Sequence, residues 1–282
     1  MARVEREIDW LDACRRMAAR QADLFERTRS IAERTEYEGR GEGGDMTLKL
    51  DRQCEDIVFE ELERIAAVGP GMSAVSEERG EVTLGDGEAL HRVVIDPIDG
   101  SMNVRRTIPS HSLSIAIADG DSMADVHFGF VHDFGAGEEF SAVRGGGARL
   151  DGIPIDPPRE EMPLEVVGLE SSDPRWIVGA IEDLQGKAYR IRSIGSIAIT
   201  LSYVACGRFD GMLSARGCRS VDAAAAQLVV REAGCEIAFV GYGLAGATLD
   251  LETRYPVIAA RSGAHLEVVL EALEAGMARQ AD

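Results

Sequence analysis

The densest chemistry in the sequence lies in Val93-Val94-Ile95-Asp96-Pro97-Ile98-Asp99-Gly100-Ser101, an apolar run that delivers two carboxylates and then a glycine and a hydroxyl. A strand that stops at a turn exposes both acids on one side. Pro97 fixes its own φ and Gly100 permits a tight or left-handed bend, so Asp96 and Asp99 can converge on a hard cation with the Ile98 carbonyl pointing the same way. Oxygen-only donors select Mg²⁺ or Mn²⁺. A turn that begins at Ser101 adds free backbone N–H groups and a hydroxyl, which together make an anion site beside the metals. The bland reading is a surface turn, because every residue of Asp-Pro-x-Asp-Gly is a common turn former.

Three further segments weigh against the bland reading. Ser76-Glu77-Glu78 follows a short apolar strand, Asp45 and Asp51 bracket Thr47, and Ser220-Val221-Asp222-Ala223-Ala224-Ala225 puts an acid at the start of an otherwise apolar helix. Each has a structural reading of its own. Glu77 would be solvated, and Asp51 and Asp222 would be simple helix N-caps.

The elements that must position these acids follow from hydrophobic spacing. Ile8, Leu11, Ala18, Leu24 and Phe25 predict a helix from Ile8 to about Ile31, followed by a glycine-rich loop over Gly39 to Gly44. Cys54, Ile57, Val58, Leu62 and Ile65 predict a second helix, with Asp51 near its N-terminus, ended by Gly69-Pro70-Gly71. Strands are then expected at Ala74–Val75, Arg92–Ile95, Leu113–Ile117, Val126–Val131 and Glu139–Val143. Two helices followed by successive strands fit an α+β layer with a mostly antiparallel sheet covered on one face by helices. Gly145-Gly146-Gly147, Asp151-Gly152-Ile153-Pro154 and Pro157-Pro158 set a domain junction near residue 150. Residues 1–150 are thus an N-terminal α+β domain carrying most of the candidate ligands, and 151–282 a C-terminal α/β domain supplying Asp222 and substrate contacts.

That second half alternates between helix and strand. Helices are predicted at Pro174–Leu184, Ser196–Cys206, Ala223–Ala233 and Ala264–Ala275, and strands at Ala188–Ile194, Phe209–Leu213, Glu236–Val240 and Pro256–Ala260. The alternation implies a partly parallel sheet.

Composition excludes several classes. The 282 residues, 45% hydrophobic and 28% charged, describe an ordinary globular chain of two modest domains or one large unit. A net charge of −19 repels phosphate backbones, which argues against nucleic-acid binding. With only two lysines, Lys49 and Lys187, against 28 arginines, the surface fits either adaptation to high salt or codon bias. No apolar run approaches the roughly 18 residues of a membrane span, and Met1 to Trp10 carries charge where a signal peptide would be apolar, so a cytoplasmic protein is expected. Cys14, Cys54, Cys206, Cys218 and Cys235 form no Cys-x-x-Cys pair and read as reduced, mostly buried thiols. The five histidines have no metal-ligand spacing, and Met102, Met123 and Met212 read as core fillers.

Taken together, the Asp96–Ser101 motif, Glu77-Glu78, the Thr47 to Asp51 element and the Asp222-Ala223-Ala224-Ala225 helix resemble the inositol monophosphatase superfamily in order and spacing over nearly the whole chain. Gly195-Ser196 to Asp210 and Gly146 to Gly152 are also similar to segments of that family. The resemblance implies a layered αβαβα sandwich of the inositol monophosphatase/fructose-1,6-bisphosphatase type and a Mg²⁺-dependent phosphatase with two or three ions, Mn²⁺ being possible. By the same resemblance, Glu77 and Asp96 with the Ile98 carbonyl hold one ion, Asp96, Asp99 and Asp222 a second, and a weaker third sits near Glu77. Ser101 with Asp51 orients and deprotonates the attacking water, and Gly100 and Ser101 bind phosphate oxygens. Two departures stand out: Ser101 replaces the more usual Thr, and Val221 replaces a Trp before the late Asp.

The substrate is expected to be a small sugar phosphate. The stretch from Gly211 to Val221 has no acid but two arginines, Arg216 and Arg219, where animal-type family members place a Glu that accepts from inositol hydroxyls. Arginine forks suit a second phosphate, and Arg190 and Arg192 add to that field. Asp99, Gly100, Ser101, Arg192, Ser196 and Arg216 are therefore the expected substrate contacts. The segment looks most like archaeal members acting on both fructose 1,6-bisphosphate and inositol phosphates. Alternatives are a 3′-phosphoadenosine 5′-phosphate phosphatase, disfavoured because no stacking pair flanks the site segments, a histidinol-phosphate phosphatase, and a non-catalytic regulatory protein on the same fold. The resemblance also implies a homodimer.

Overall fold

A computed structural model describes residues 8–40, 46–86, 89–156, 163–171 and 173–280. Residues 41–44 of the predicted glycine loop, Asp45 and the Pro157-Pro158 pair lie outside them. The elements run in the order α1 (Trp10–Arg27), α2 (Ile31–Arg34), β1 (Tyr37–Arg40), β2 (Met46–Leu48), α3 (Lys49–Ala66), β3 (Gly71–Ser76), β4 (Gly80–Leu84), β5 (Ala89–Asp99), α4 (Ser101–Arg105), β6 (Ser112–Ala118), β7 (Val126–Asp133), β8 (Glu138–Val143), β9 (Gly147–Leu150) and β10 (Ile153–Pro154). They continue through β11 (Leu164–Glu170), α5 (Pro174–Asp183), β12 (Ala188–Arg192), α6 (Ile197–Ala205), β13 (Gly211–Ser214), α7 (Ser220–Glu232), β14 (Glu236–Phe239), α8 (Gly243–Gly246), β15 (Val257–Ala260) and α9 (Gly263–Gln280).

Two sheets carry the architecture. The first has the order β10-β9-β8-β7-β6-β5-β3-β4 and is antiparallel except where β3 lies parallel to β5. The second has the order β12-β11-β13-β15-β14, with β11 parallel to both β12 and β13. Side chains alternate across each strand, and β5 shows the consequence. Val93 and Ile95 pack with Trp10, Met17, Phe59 and Leu62 of α1 and α3, whereas Val94 faces a second core shared with α6, α7 and the second sheet. The far face of the second sheet, with Val167, Leu169, Leu213 and Ile258, is covered by α5 and α9. The result is five layers, αβαβα, as expected from the sequence. Among the described residues no helix is long and apolar enough to cross a membrane, and all five cysteines are free, Cys206 alone being only part-buried.

The eight-stranded sheet exceeds the five strands predicted. The half-exposed hairpin strand β4 and the short β9 and β10 have too few apolar positions to show a period. β11, a central strand of the second sheet, was also absent from the sequence prediction. Strand β5 runs further than predicted, to Asp99. Its ladder to β6 is irregular between Asp96 and Asp99 because Pro97 has no N–H to give. One predicted core methionine is misplaced: Met123 and Met212 are fully buried, but Met102 is 65% exposed.

The layer between the sheets is thin, and the sequence of α7 explains it. Gly129 of β7 lies so close to this helix that a Cβ there would stand 2.5 Å from the Ala225 carbonyl oxygen. The run Ala223 to Ala226 presents no bulk at this approach, so the first turn of α7, and with it Asp222, is held against the first sheet.

Candidate active site

The irregular end of β5 turns Asp96 and Asp99 into a cavity of about 1030 Å³ between the two halves of the chain. Gly100, with φ +95°, makes the turn; a Cβ there would meet the carbonyl oxygens of Ser110 and Gly195 at 2.9 and 3.1 Å. Ser101 then opens the short helix α4 at the cavity wall. Asn103 ties this turn to the second half by donating to the Ser110 and Ile194 carbonyls at 2.7 and 2.8 Å. Glu77 follows β3, whose Ser76 pairs with Ile95, so it enters the same cavity beside Asp96. Asp222 enters from the first turn of α7.

Each acid is fixed by a different partner. Asp96 Oδ1 accepts from its own turn, the Ile98 N–H at 3.0 Å. Asp99 Oδ2 accepts from Ser196 Oγ at 2.6 Å and from the Ala198 N–H at 2.7 Å, both at the start of α6. Asp222 Oδ2 accepts from the Arg219 N–H at 2.7 Å, while the Arg219 guanidinium reaches across the cavity to Glu77.

The electrostatics are those of crowded anions. Burial, and then the charges of Asp99 and Asp222, push the Asp96 carboxyl well above the usual carboxylate range. Burial and the charge of Asp222 push Asp99 up to about 7 against the pull of its two donors. Asp222 is raised as well, chiefly by desolvation, with Arg219 and Arg254 opposing. Proximity of like charges in a low dielectric favours the arrival of a cation. Among the described residues, however, no three acidic, histidine or cysteine side chains gather closely enough to ligate one ion. Glu77 turns to Arg219 and one Asp99 oxygen turns to α6, so the carboxylates share a cavity without closing on a common point.

The family match spans almost all of the layered fold just described. The inositol monophosphatase family model matches residues 10–278. The chain belongs to the inositol monophosphatase family. It is 30% identical over 276 residues to the fructose-1,6-bisphosphatase/inositol-1-monophosphatase of Methanothermobacter thermautotrophicus, covering 92% of this chain and 95% of that one. It is 34% identical over 197 residues, 70% of each chain, to the protein of the same name from Thermococcus kodakarensis. The crystal structure of the MJ0109 gene product, an inositol monophosphatase-fructose 1,6-bisphosphatase, superposes with a TM-score of 0.78 at 25% identity, covering 94% of this chain and all of that one. As an inositol monophosphatase family member the chain is an enzyme, a phosphoric monoester hydrolase.

The structure of this family member sorts the residues singled out in the sequence. Glu77, Asp96, Ile98, Asp99, Gly100, Ser101, Arg216 and Asp222 all line the cavity. Asp51 does not. It stands off the cavity wall in the first turn of α3, with Oδ1 buried and unpartnered, and burial and the charge of Glu78 push it up to about 7. Ser196 is buried and absent from the cavity lining, and its hydroxyl bonds Asp99 and caps α6, so in this structure it orients an acid. Arg192 lies on the edge strand β12, exposed, with its guanidinium turned back on the Ile191 carbonyl, and Arg190 stacks on Tyr189. Neither arginine lines the cavity.

Other wall residues were not anticipated. Glu170 at the end of β11 is buried and accepts from the Ile194 and Gly195 N–H groups, both at 2.9 Å, and from Thr200 Oγ at 2.7 Å, fixing the loop before α6. Trp176 of α5 and Arg254 also line the cavity. The sequence showed no stacking pair beside the site segments, and the single aromatic among the described residues of the cavity wall, Trp176, comes from a segment not singled out. The available signal was the capped start Asp173-Pro174 after β11, since loops at the carboxyl ends of parallel strands are where sites are built.

Proposed function

We propose that this phosphatase hydrolyses sugar phosphate monoesters, above all the 1-phosphate of fructose 1,6-bisphosphate and inositol 1-phosphate, with Mg²⁺ as its cofactor. The observation that carries the reading is one cavity whose first-half wall bears Glu77, Asp96, Asp99 and the Gly100–Ser101 turn, and whose second-half wall bears Arg216, Arg219 and Arg254. The carboxylates of Glu77, Asp96, Asp99 and Asp222 suit cations, and the arginines, which share the second-half wall with Glu170, Asp173 and Asp222, suit a second anionic group on the same substrate. Two of the relatives are named for both activities, which supports the same pair of substrates.

In donor type the set suits a hard cation, being made of carboxylate oxygens that burial and mutual repulsion leave short of positive charge, and holding one requires the side chains to close together. Glu77, Asp96, Asp99 and Asp222, with the Ile98 carbonyl, would hold it. When bound, such an ion neutralises charge on the ester and acidifies water. Ser101 and the backbone at Gly100 hold phosphate oxygens at the start of α4. Asp51, which burial and the charge of Glu78 push up to about 7, would be the proton acceptor for the attacking water, with the Ser101 hydroxyl as the link the family resemblance implies. Ser196 and the Ala198 N–H keep Asp99 aimed into the cavity, and Arg219 must yield Glu77 for that acid to serve as a ligand.

Phosphate release measured side by side on fructose 1,6-bisphosphate, inositol 1-phosphate and 3′-phosphoadenosine 5′-phosphate, with Mg²⁺ and with chelator, tests this reading. The first two are expected to turn over only with Mg²⁺, the bisphosphate at the higher kcat/KM. Preference for the nucleotide, a strong preference for inositol 1-phosphate, or full activity under chelator would each contradict it.

A further inference from the structure

We infer that Trp176 is a positioning residue that sets the selectivity of this enzyme for bisphosphate over monophosphate sugars, by holding the Arg216 guanidinium in the cavity; the inference rests on the sugar phosphate reading above. The Arg216 guanidinium carbon lies 4.8 Å from the centre of the Trp176 ring, and both residues line the cavity that receives Asp96 and Asp99. Arg216 is exposed, and its backbone is pinned where Ser214 Oγ donates to its carbonyl oxygen at 2.5 Å. Left alone, such a side chain samples many rotamers, and ordering it on an incoming anion costs binding free energy. An indole face under the planar guanidinium removes much of that freedom before substrate arrives, and leaves the donor edge of the fork open to a phosphate.

Trp176 has a second cationic neighbour. Trp176 sits in the first turn of α5, after the cap formed where Asp173 accepts from the Arg175 N–H at 2.9 Å. Arg175, locked to both Asp173 oxygens at 2.9 and 2.6 Å, also lies 5.4 Å from the indole centre. The charge of Asp173 and that of Arg216 also attract each other. A single-phosphate substrate spans the acids and the Gly100–Ser101 turn and makes little use of this wall. A second phosphate at the far end of the sugar meets Arg216 already in place.

Steady-state kinetics on fructose 1,6-bisphosphate and inositol 1-phosphate for Trp176→Leu, Trp176→Phe, Arg216→Met and the Trp176→Leu/Arg216→Met double variant test the inference. Trp176→Leu is expected to raise KM for the bisphosphate about five- to tenfold more than KM for inositol 1-phosphate, with the change in KM and not in kcat. Trp176→Phe, which keeps an aromatic face, should recover most of that loss, and Trp176→Leu should add little to Arg216→Met. Equal losses on both substrates, a loss in kcat, failure of phenylalanine to rescue, or additivity with Arg216→Met would overturn the positioning role. Were Arg216→Met itself to leave the bisphosphate preference intact, the fault would lie in the substrate reading, and the role of Trp176 would fall with it.

Discussion

At the scale of single residues, the site is a set of anions held in place by dedicated donors. Asp99 is oriented by Ser196 and the Ala198 N–H, Asp222 by the Arg219 N–H, and Asp96 by its own turn. Asp51 differs, because its buried Oδ1 has no donor. Its folded pKa of about 7 lies above the ordinary aspartate value of 3.8, so the folded protein holds a proton that the unfolded chain gives up between those values. Stability from that proton is complete below about pH 4 and lost as pH rises through 7. Asp51→Asn should therefore match the wild type near pH 4 in chelator, and exceed it above pH 7 by roughly 2–4 kcal/mol in urea unfolding. A gap independent of pH, or a less stable variant at pH 8, would count against this account of Asp51. The motif from Asp96 to Ser101 was legible in the sequence because proline, glycine and two acids at fixed spacing dictate a local turn. Ser196 was legible as a site residue but not in its role, since nothing local says that its hydroxyl is consumed by an acid from the other half of the chain.

At the scale of elements, placement of the acids depends on how closely helices approach sheets. The contact of Gly129 with the Ala225 carbonyl lets α7 carry Asp222 to the end of β5. Gly129→Ala should cost about 1–3 kcal/mol of stability through overpacking and reduce phosphate release by pushing Asp222 outward. Gly263→Ala, at a site with open space around it, serves as the control and should leave both within error. Equal behaviour of the two variants in thermal melts and turnover would remove the role given to that approach. Long apolar periods made α1, α3, α7 and the central strands readable. That Arg192 lies off the cavity was not legible, because its place on an edge strand, which decides where its side chain goes, follows from sheet order and not from local sequence. Trp176 was missed for the same reason: the crossover from β11 through α5 to β12 brings it to the cavity.

At the scale of the whole molecule, neither sheet owns the site. The first supplies Glu77, Asp96, Asp99 and the Gly100–Ser101 turn, and the second, with α5 and α7, supplies Trp176, the arginine wall and Asp222, so the cavity exists only where the two meet. Helices followed by strands in the first half and alternation in the second made an α+β layer and a partly parallel α/β layer legible, and the family resemblance supplied the five-layer order; strand count and edge order were not legible, because short, half-exposed strands carry no period. A chain with a net charge of −19 concentrates several of its buried acids here, and the central claim is that they are gathered to bind cations. Calorimetric titration of Mn²⁺ into the metal-free protein at pH 7.5, for the wild type and for Asp96→Asn, tests it most directly. The account predicts saturable binding in the wild type, and loss of that binding in a variant that remains folded by circular dichroism. Absence of binding in the wild type, or titration curves that Asp96→Asn leaves unchanged, would contradict it.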